Sequence, residues 1–286
     1  MKLAVSSYSF SGALRDGRMT LMDVIPKAKE FGFEGVEITE QQLSIEEMRA
    51  MAQKLREQSK EYGIPIVSYL VGADFLRNDV DEEVKRLHKH VEIAALLGAP
   101  LMRHDAARGV DADGKPVDFW YALPRIAEGY RKVTEFAAGL GIHTMIENHG
   151  YYAQDSDRVK AIVDTVKHPN FGWLVDIGNF LCADEEPMHA VAVGAPYAVH
   201  AHVKDFHVRT KAQGKPNAGW FDTRGGNFLR GAVAGHGQVD IKGCLQLLKN
   251  AGYDKWLSLE FEGVEDCLMA IPEGRANILT ALGGLE

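Results

Sequence analysis

The chain has 286 residues, of which 46% are hydrophobic and 25% charged, and its formal net charge is −8. This composition is ordinary for a protein with a large core and argues against disorder. The negative charge argues against a nucleic-acid partner, because Lys and Arg supply most of the affinity for a phosphodiester backbone.

The three cysteines, Cys182, Cys244 and Cys267, are an odd number at wide spacing. Neither a disulfide framework nor a CxxC zinc site is therefore available, and we expect a reducing compartment. The start, MKLAVSSYSF, is too short and too soon polar for a signal peptide, and no segment approaches the roughly 18 apolar residues of a membrane span. We expect a cytoplasmic protein that does not bind membranes.

Short apolar runs alternate with longer amphipathic stretches, which is the pattern of repeated strand–helix units around a parallel sheet. Eight units can be counted, and their strands are predicted at 3–9, 35–39, 65–71, 100–104, 143–148, 173–176, 198–204 and 256–262. Helices are predicted near 20–31, 44–62, 80–97, 118–140, 156–167, 185–193 and 240–250.

Several of these helices end with a glycine before the next strand, as in EFGFEGVEI, EYGIPIVSY and LLGAPLMRH. Glycine tolerates the left-handed conformation that closes a helix, so the repeated turn is a stop signal as well as an internal repeat. Eight units with one turn design predict a single-domain (β/α)8 TIM barrel over residues 1–286. An open doubly wound sheet is the alternative, but YSFSGALRDG lacks the GxGxxG loop usual in its first turn.

The longest irregular stretch is predicted over 206–239, between the seventh strand and the last predicted helix. It holds seven glycines and one acid, Asp222, against five basic residues: Arg209, Lys211, Lys215, Arg224 and Arg230. Loops this long tend to be functional lids or disordered segments, and strand-to-helix loops of a barrel lie on its catalytic face. We expect a lid-like loop over that face, whose basic residues fit either an anionic or large substrate or a subunit contact.

Four predicted strands end in side chains that can bind metals: Glu147, Asp176, His202 and Glu260. The first three are 29 and 26 residues apart, about one strand–helix unit each, so they belong to neighbouring strands. Carboxylates buried together are costly unless a cation compensates them. The oxygen-rich set predicts one divalent metal, Mn²⁺ first, with Mg²⁺, Co²⁺ or Zn²⁺ as alternatives. Glu262 could replace Glu260, and His200 could replace His202, because each pair shares one face of its strand.

Other polar side chains at the same predicted rim are candidates for binding substrate: Glu37, His104, His149, Lys204, His207 and His236. Lys204 could bind a substrate hydroxyl or stabilise a developing oxyanion, and the histidines could act as acids or hydrogen-bond partners. Arg103 lies at the same strand end as His104. Each of these residues could equally be structural, Glu37 as part of an interior salt bridge.

The segments IENHG, VDIGN, HVKD and LSLEFEG, with GHGQVDIKGCLQLLKNAGYDKW before the last, resemble the xylose isomerase-like TIM-barrel superfamily of sugar isomerases and epimerases. The similarity spans most of the chain and is strongest from Leu140 onward. The resemblance implies a single divalent metal held by Glu147, Asp176, His202 and Glu260. It also implies that Glu147 and Glu260 move the proton, as in ketose 3-epimerases. Those epimerases often carry GEG before the last helix, where this chain has His236 between two glycines.

The function expected from the resemblance is a metal-dependent isomerase or epimerase of a sugar, keto-sugar or polyol, working by proton transfer through a metal-stabilised enediolate. A lyase is the alternative, either an inosose-type dehydratase or a subunit that eliminates across a keto-glycoside. A partner subunit without activity of its own is a further class. An apurinic-site endonuclease would need more metal ligands and a basic groove. We expect a small sugar-type substrate and a homo-oligomer, with a hetero-subunit as the alternative.

Overall fold

The structure, a computed structural model that describes residues 1–286, is built on a closed barrel of eight parallel strands. The barrel strands are β1 (Lys2–Ser6), β2 (Gly35–Thr39), β3 (Ile66–Val71), β4 (Leu101–His104), β5 (His143–Glu147), β6 (Phe171–Asp176), β7 (Ala198–Val203) and β11 (Trp256–Leu259). Neighbours pair in chain order, and β1 closes the barrel by pairing with β11. The predicted (β/α)8 barrel is confirmed.

Nine α-helices accompany the strands: α1 (Ser11–Arg15), α2 (Val24–Glu30), α3 (Ile45–Tyr62), α4 (Val80–Leu97), α5 (Phe119–Gly139), α6 (Ser156–Val166), α7 (Pro187–Gly194), α8 (Ile241–Asn250) and α9 (Cys267–Gly283). The sequence prediction lacks α1 and α9, whereas the other seven helices correspond to predicted ones. None of the nine combines the length and apolar character that a membrane span needs.

The predicted glycine turns close the two long helices before β3 and β4. Gly63 and Gly98 follow α3 and α4 with φ of 67° and 74°, in the left-handed region where other residues are strained. The start of α3 is equally well specified, since Ser44 and Glu47 form a reciprocal capping box. The two glycines therefore define where α3 and α4 end and where the chain turns into β3 and β4.

Alternation along the strands separates the hydrophobic core from the polar barrel interior. On β7, Ala201 and Val203 belong to the core of 70 buried residues, whereas His200 and His202 lie on the opposite face. Both histidines are fully buried. The helices therefore pack on the apolar face, and the polar face is enclosed by the other strands.

The stretch 206–239 is not an irregular loop, in contrast to the prediction. Three strands lie in or at the start of it: β8 (Asp205–Arg209) pairs antiparallel with β10 (Phe228–Ala232), and β9 (Phe221–Asp222) also pairs with β10. Phe206 and Leu229 form a small separate core with Cys182. The pattern was hidden because β8 follows β7 after one residue and its partner lies about twenty residues further along the chain.

Two strands end three residues before their predicted C-terminal ends. The first ends at Ser6, and residues Ser7–Phe10 form a 3-10 helix. The last ends at Leu259, so Glu260 and Glu262 lie just beyond it on the rim.

Candidate metal centre

The ends of four neighbouring strands bring Glu147, Asp176, His202 and Glu260 together, and all four are buried. His202 Nδ1 lies 3.6 Å from Glu147 Oε1, 3.7 Å from Asp176 Oδ2 and 3.5 Å from Glu260 Oε2. The sheet register explains the meeting point, because Asp176 on β6 and Ser258 on β11 both align with His202 on β7. We call these four residues the ligand cluster.

The atoms of the ligand cluster fit a shared divalent cation. Donor atoms that lie about 2.1 Å from one cation are about 3.0–3.5 Å apart, close to the observed 3.5–3.7 Å. Neither His202 Nδ1 nor Asp176 Oδ2 has a hydrogen-bond partner, although both are buried. Buried polar atoms without partners are rare in native proteins, and a cation would satisfy both.

The charges around His202 also favour a bound cation. Around His202 lie the three carboxylates of the ligand cluster and the carboxylate of Glu37, whereas the buried cations that face them are Arg103 and Lys204. The carboxylates outnumber the cations that face them, and a divalent cation would offset part of this excess.

Hydrogen bonds from the protein hold both oxygens of Glu147 on β5 and one oxygen of Asp176 on β6. Arg103 Nε donates to Glu147 Oε2 at 2.6 Å, and the backbone N–H groups of Gly178 and Asn179 donate to Asp176 Oδ1 at 2.8 and 3.0 Å. The Asn179 side chain also donates to Glu147 Oε1 at 3.0 Å. The carboxylates are therefore oriented before any ligand arrives. Asn179 lies within the VDIGN segment, but the sequence reasoning assigned it no role.

Lys204 joins the ligand cluster to the rim. Its Nζ lies 2.6 Å from Glu260 Oε2 and 3.2 Å from Glu262 Oε2, and it donates to Asn179 Oδ1 at 3.1 Å. Burial alone would lower the pKa of Lys204, but Glu260 and Glu262 outweigh burial and raise it well above its usual value. The side chain is thus a buried ammonium.

The two glutamates of the ligand cluster are ionised. Burial alone would raise the pKa of Glu260, but Lys204 and His202 outweigh it and lower that pKa to about 2. For Glu147 the burial effect is likewise outweighed, by Arg103 and His202, and its pKa falls well below the usual range. Both groups are available as ligands or as proton acceptors.

A cavity of about 240 Å³ opens beside the ligand cluster, and its polar lining includes Tyr8, Arg103, His149, Lys204, Glu260 and Glu262. A second cavity, of about 260 Å³, shares four of these residues and adds Asn179, Tyr151 and Phe221. Sequence reasoning missed Tyr8, which follows the first strand with no motif to mark it. Glu262 lines the cavity but does not belong to the ligand cluster.

Of the six candidate substrate-binding residues, His149 and Lys204 line the cavity and the other four do not. His149 is exposed at the mouth, where its Nδ1 lies 2.9 Å from Asp105 Oδ1. Glu37 is fully buried and contacts His200 and His202 instead.

The three remaining candidates lie elsewhere. His104 is fully buried and stacks on Tyr130 with ring centroids 4.3 Å apart, and burial lowers its pKa to about 4. Alternation could have shown this, since Arg103 points into the barrel and its neighbour must point out. His236 is exposed, 3.9 Å from Glu273 on α9, and His207 is half-buried on β8.

The chain matches a family model described as xylose isomerase-like TIM barrel over residues 25–281. A rhizopine catabolism protein, MocC, from Rhizobium meliloti is 25% identical over 217 residues, which cover 70% of this chain and 64% of that protein. An inosose dehydratase from Serratia proteamaculans is 26% identical over 154 residues, which cover 52% of this chain and 50% of that enzyme. The chain thus spans about half to two thirds of the length of these relatives.

Solved structures share the architecture at lower identity. The IolI protein with a bound zinc atom superposes with a TM-score of 0.79 at 16% identity, covering 100% of this chain and 99% of that one. The 3-keto-D-glucoside 4-epimerase from E. coli gives 0.70 at 15%, covering 98% and 99%. A probable 3-DHS dehydratase from Bacillus anthracis gives 0.73 at 19%, also covering 98% and 99%. At these identities the likeness establishes the fold and not the reaction.

Proposed function

The chain belongs to the xylose isomerase-like TIM barrel family, and on that premise we propose that it is a divalent-metal-dependent isomerase or epimerase of a sugar, keto-sugar or related polyol. The observation that carries the proposal is the convergence of three carboxylates and one imidazole on a single point beside a cavity. The names of an inosose dehydratase and a 3-keto-D-glucoside 4-epimerase among its relatives and structural neighbours support a carbohydrate substrate.

A cation held by the ligand cluster would act as a Lewis acid on a substrate carbonyl and so acidify the neighbouring C–H bond. We propose Mn²⁺, because the donors are mainly oxygen. Asp176 and His202 serve as ligands in this proposal. Glu147 and Glu260 serve also to accept and to deliver the proton, because both are ionised and lie close to His202 on strands at different sides of β7, and Glu260 lines the cavity.

Removal of a proton by one glutamate from one face, followed by delivery of a solvent-derived proton through the other glutamate to the opposite face, inverts a stereocentre, which is epimerisation. Return of the proton at the neighbouring carbon exchanges the carbonyl and hydroxyl positions, which is isomerisation. Lys204 stabilises negative charge that develops on a substrate oxygen, because it is a buried ammonium that lines the same cavity.

A lyase is the second candidate, and the position of Lys204 favours it. In an elimination, a glutamate takes the proton from the carbon beside the carbonyl, the β C–O bond breaks, and the departing oxygen needs a proton. Lys204 can donate that proton, since its Nζ lies on the rim between Glu260 and Glu262. The curated inosose dehydratase relative agrees with this alternative.

We also propose that the sheet of β8, β9 and β10 acts as a lid over the cavity. Phe221 lines the second cavity, of about 260 Å³, together with Lys204. The Tyr151 hydroxyl donates to the Asp222 carbonyl at 2.9 Å, and Arg224 forms an ion pair with Asp155 at 2.6 Å. These contacts support a lid that is held against the loop after β5.

The deciding experiment is incubation of Mn²⁺-loaded protein with a panel of ketoses and inososes in D₂O, followed by NMR. Deuterium gained at one carbon with inversion or carbonyl migration supports the isomerase or epimerase. An unsaturated product overturns it in favour of the lyase. Absence of both exchange and product across the panel, with metal bound, counts against catalysis on these substrates.

A further inference from the structure

We infer that Glu37 is a positioning residue that fixes the tautomer of His202 and so leaves Nδ1 free to bind the metal. The inference rests on the metal centre of the proposed function. It adds a buried relay that runs from Ser258 through His200 and Glu37 to the ligand cluster.

The relay is built from contacts inside the barrel. Glu37 Oε1 lies 2.7 Å from His202 Nε2, and Glu37 Oε2 lies 3.0 Å from His200 Nε2. His200 Nε2 also lies 3.0 Å from Ser258 Oγ. The pair with His200 is a hydrogen bond, whereas the pair with His202 is a close contact in which neither Glu37 Oε1 nor His202 Nε2 has a hydrogen-bond partner. Each oxygen of Glu37 thus faces one histidine.

Isolation from water makes these contacts decisive for the proton positions. The side chains of Glu37, His200 and His202 are all 0% exposed. An ionised carboxylate only accepts hydrogen bonds, so the ring nitrogens that face Glu37 must carry the hydrogens.

With the hydrogen on Nε2, the neutral His202 ring presents a lone pair at Nδ1. That atom faces three carboxylates and has no hydrogen-bond partner. A lone pair among carboxylates is repulsive unless a cation lies between them. Histidine ligands of metals characteristically donate their second N–H to a carboxylate, and loss of that partner weakens metal affinity by about 10–100-fold.

A purely structural role for Glu37 makes a different prediction. Glu37 lies on β2, which is separated from β7 by β1 and β11, so it could simply tie two sides of the barrel together. Its replacement would then lower the stability of the metal-free protein and leave the metal dissociation constant unchanged. The two roles are therefore separated by a binding measurement that does not involve catalysis.

The test compares the Zn²⁺ affinities of wild type, Glu37→Gln and Glu83→Gln by competition with a chromophoric chelator. Glu83 is a matched control, because it is also a buried glutamate, 3% exposed, but it pairs with Arg86 outside the ligand cluster. We expect Zn²⁺ binding to weaken about 10–100-fold in Glu37→Gln and to stay within twofold of wild type in Glu83→Gln. A folded Glu37→Gln with wild-type affinity would overturn the inference.

Wild-type protein supplies a second measurement that does not depend on whether the variant folds. In ¹⁵N-labelled, Zn²⁺-loaded protein, long-range ¹H–¹⁵N correlations should show His202 protonated at Nε2 and metal-bound at Nδ1. The opposite assignment would overturn the positioning role even if the metal centre exists. Failure of the wild type to bind Zn²⁺ and Mn²⁺ stoichiometrically would overturn the metal centre and this inference together. Loss of sugar turnover with normal metal binding would overturn only the proposed reaction.

Discussion

Lys204 Nζ lies 2.6 Å from Glu260 Oε2 at the point where the ligand cluster meets the cavity. Both side chains are buried, so the ion pair is poorly screened by water. Lys204 keeps Glu260 ionised, and Glu260 in turn keeps Lys204 protonated. Any proton that moves to Glu260 must therefore disturb this pair.

Replacement of Lys204 by Met should lower kcat by about 10²–10³-fold, because the substrate loses the charge that faces its developing oxyanion. Metal stoichiometry should be retained, since Lys204 is not a ligand in our assignment. Lys132→Met is a suitable control, because Lys132 forms ion pairs with Asp81 and Glu128 on the outer helices. Steady-state kinetics and metal analysis of both variants test the role, and an active Lys204→Met would contradict it.

Glu260→Gln should abolish most solvent deuterium exchange into the substrate, with a loss of about 10²–10⁴-fold, because an amide cannot accept the proton. Glu147→Gln should behave alike if the two residues share the proton. Glu273→Gln changes an exposed glutamate on α9 and should exchange normally. NMR measurement of the deuterium exchange rate in each variant tests this role. Full exchange in Glu260→Gln would show that Glu260 does not transfer the proton.

Asp176→Asn should lower metal affinity by more than about 100-fold, because it removes the charge from a ligand oxygen while the amide oxygen still accepts the backbone N–H groups. Asp205→Asn is a matched control. Asp205 is also buried, but it accepts hydrogen bonds from the backbone of Gly235, Gly237 and Val239. Asp205→Asn should reduce the melting temperature without changing metal content. Equal metal affinity in both variants would argue against the ligand assignment.

Acidification should destabilise the fold through His104. Burial lowers its pKa to about 4 from about 6.5, so between these values the unfolded chain binds a proton that the folded chain does not. The free energy of unfolding should therefore fall as the pH drops from about 6.5, by up to about 3 kcal/mol at pH 4. His104→Phe keeps the stacking on Tyr130 and should flatten this dependence. Denaturant unfolding of both proteins from pH 7 to pH 4 measures it, and parallel curves would contradict the assignment.

Phe221→Ala should raise KM more than it lowers kcat, because it removes part of the cavity wall on β9 without touching the ligand cluster. If the small sheet is a lid, the change in KM should be confined to residues such as Phe221 that face the cavity. Lys211→Ala, on the exposed turn after β8, should leave both constants unchanged. Equal kinetics in the two variants would argue that the small sheet does not close over substrate.

The sequence determined the barrel and the membership of the ligand cluster, because both follow from short-range rules. Strand alternation decides which side chains face inward, and glycine after a helix decides where the next strand starts. Glu147, Asp176 and His202 were found because each lies at or near the end of its strand, one strand–helix unit from the next. Closure of a barrel then brings such residues together without any further information.

Only the tertiary structure decided the roles of residues whose partners are distant in the chain. Glu37 and His202 are 165 residues apart and meet across the barrel, so no local pattern could show that Glu37 contacts His202 and not the cavity. The sequence favoured His202 and left His200 on the same face of β7 as an alternative, and only the structure shows which of the two lies among the three carboxylates. The pairing of β8 with β10 depended on contacts across about twenty residues. Periodicity specifies the face of a strand, whereas depth and partner are set by how the strands are staggered in the closed barrel.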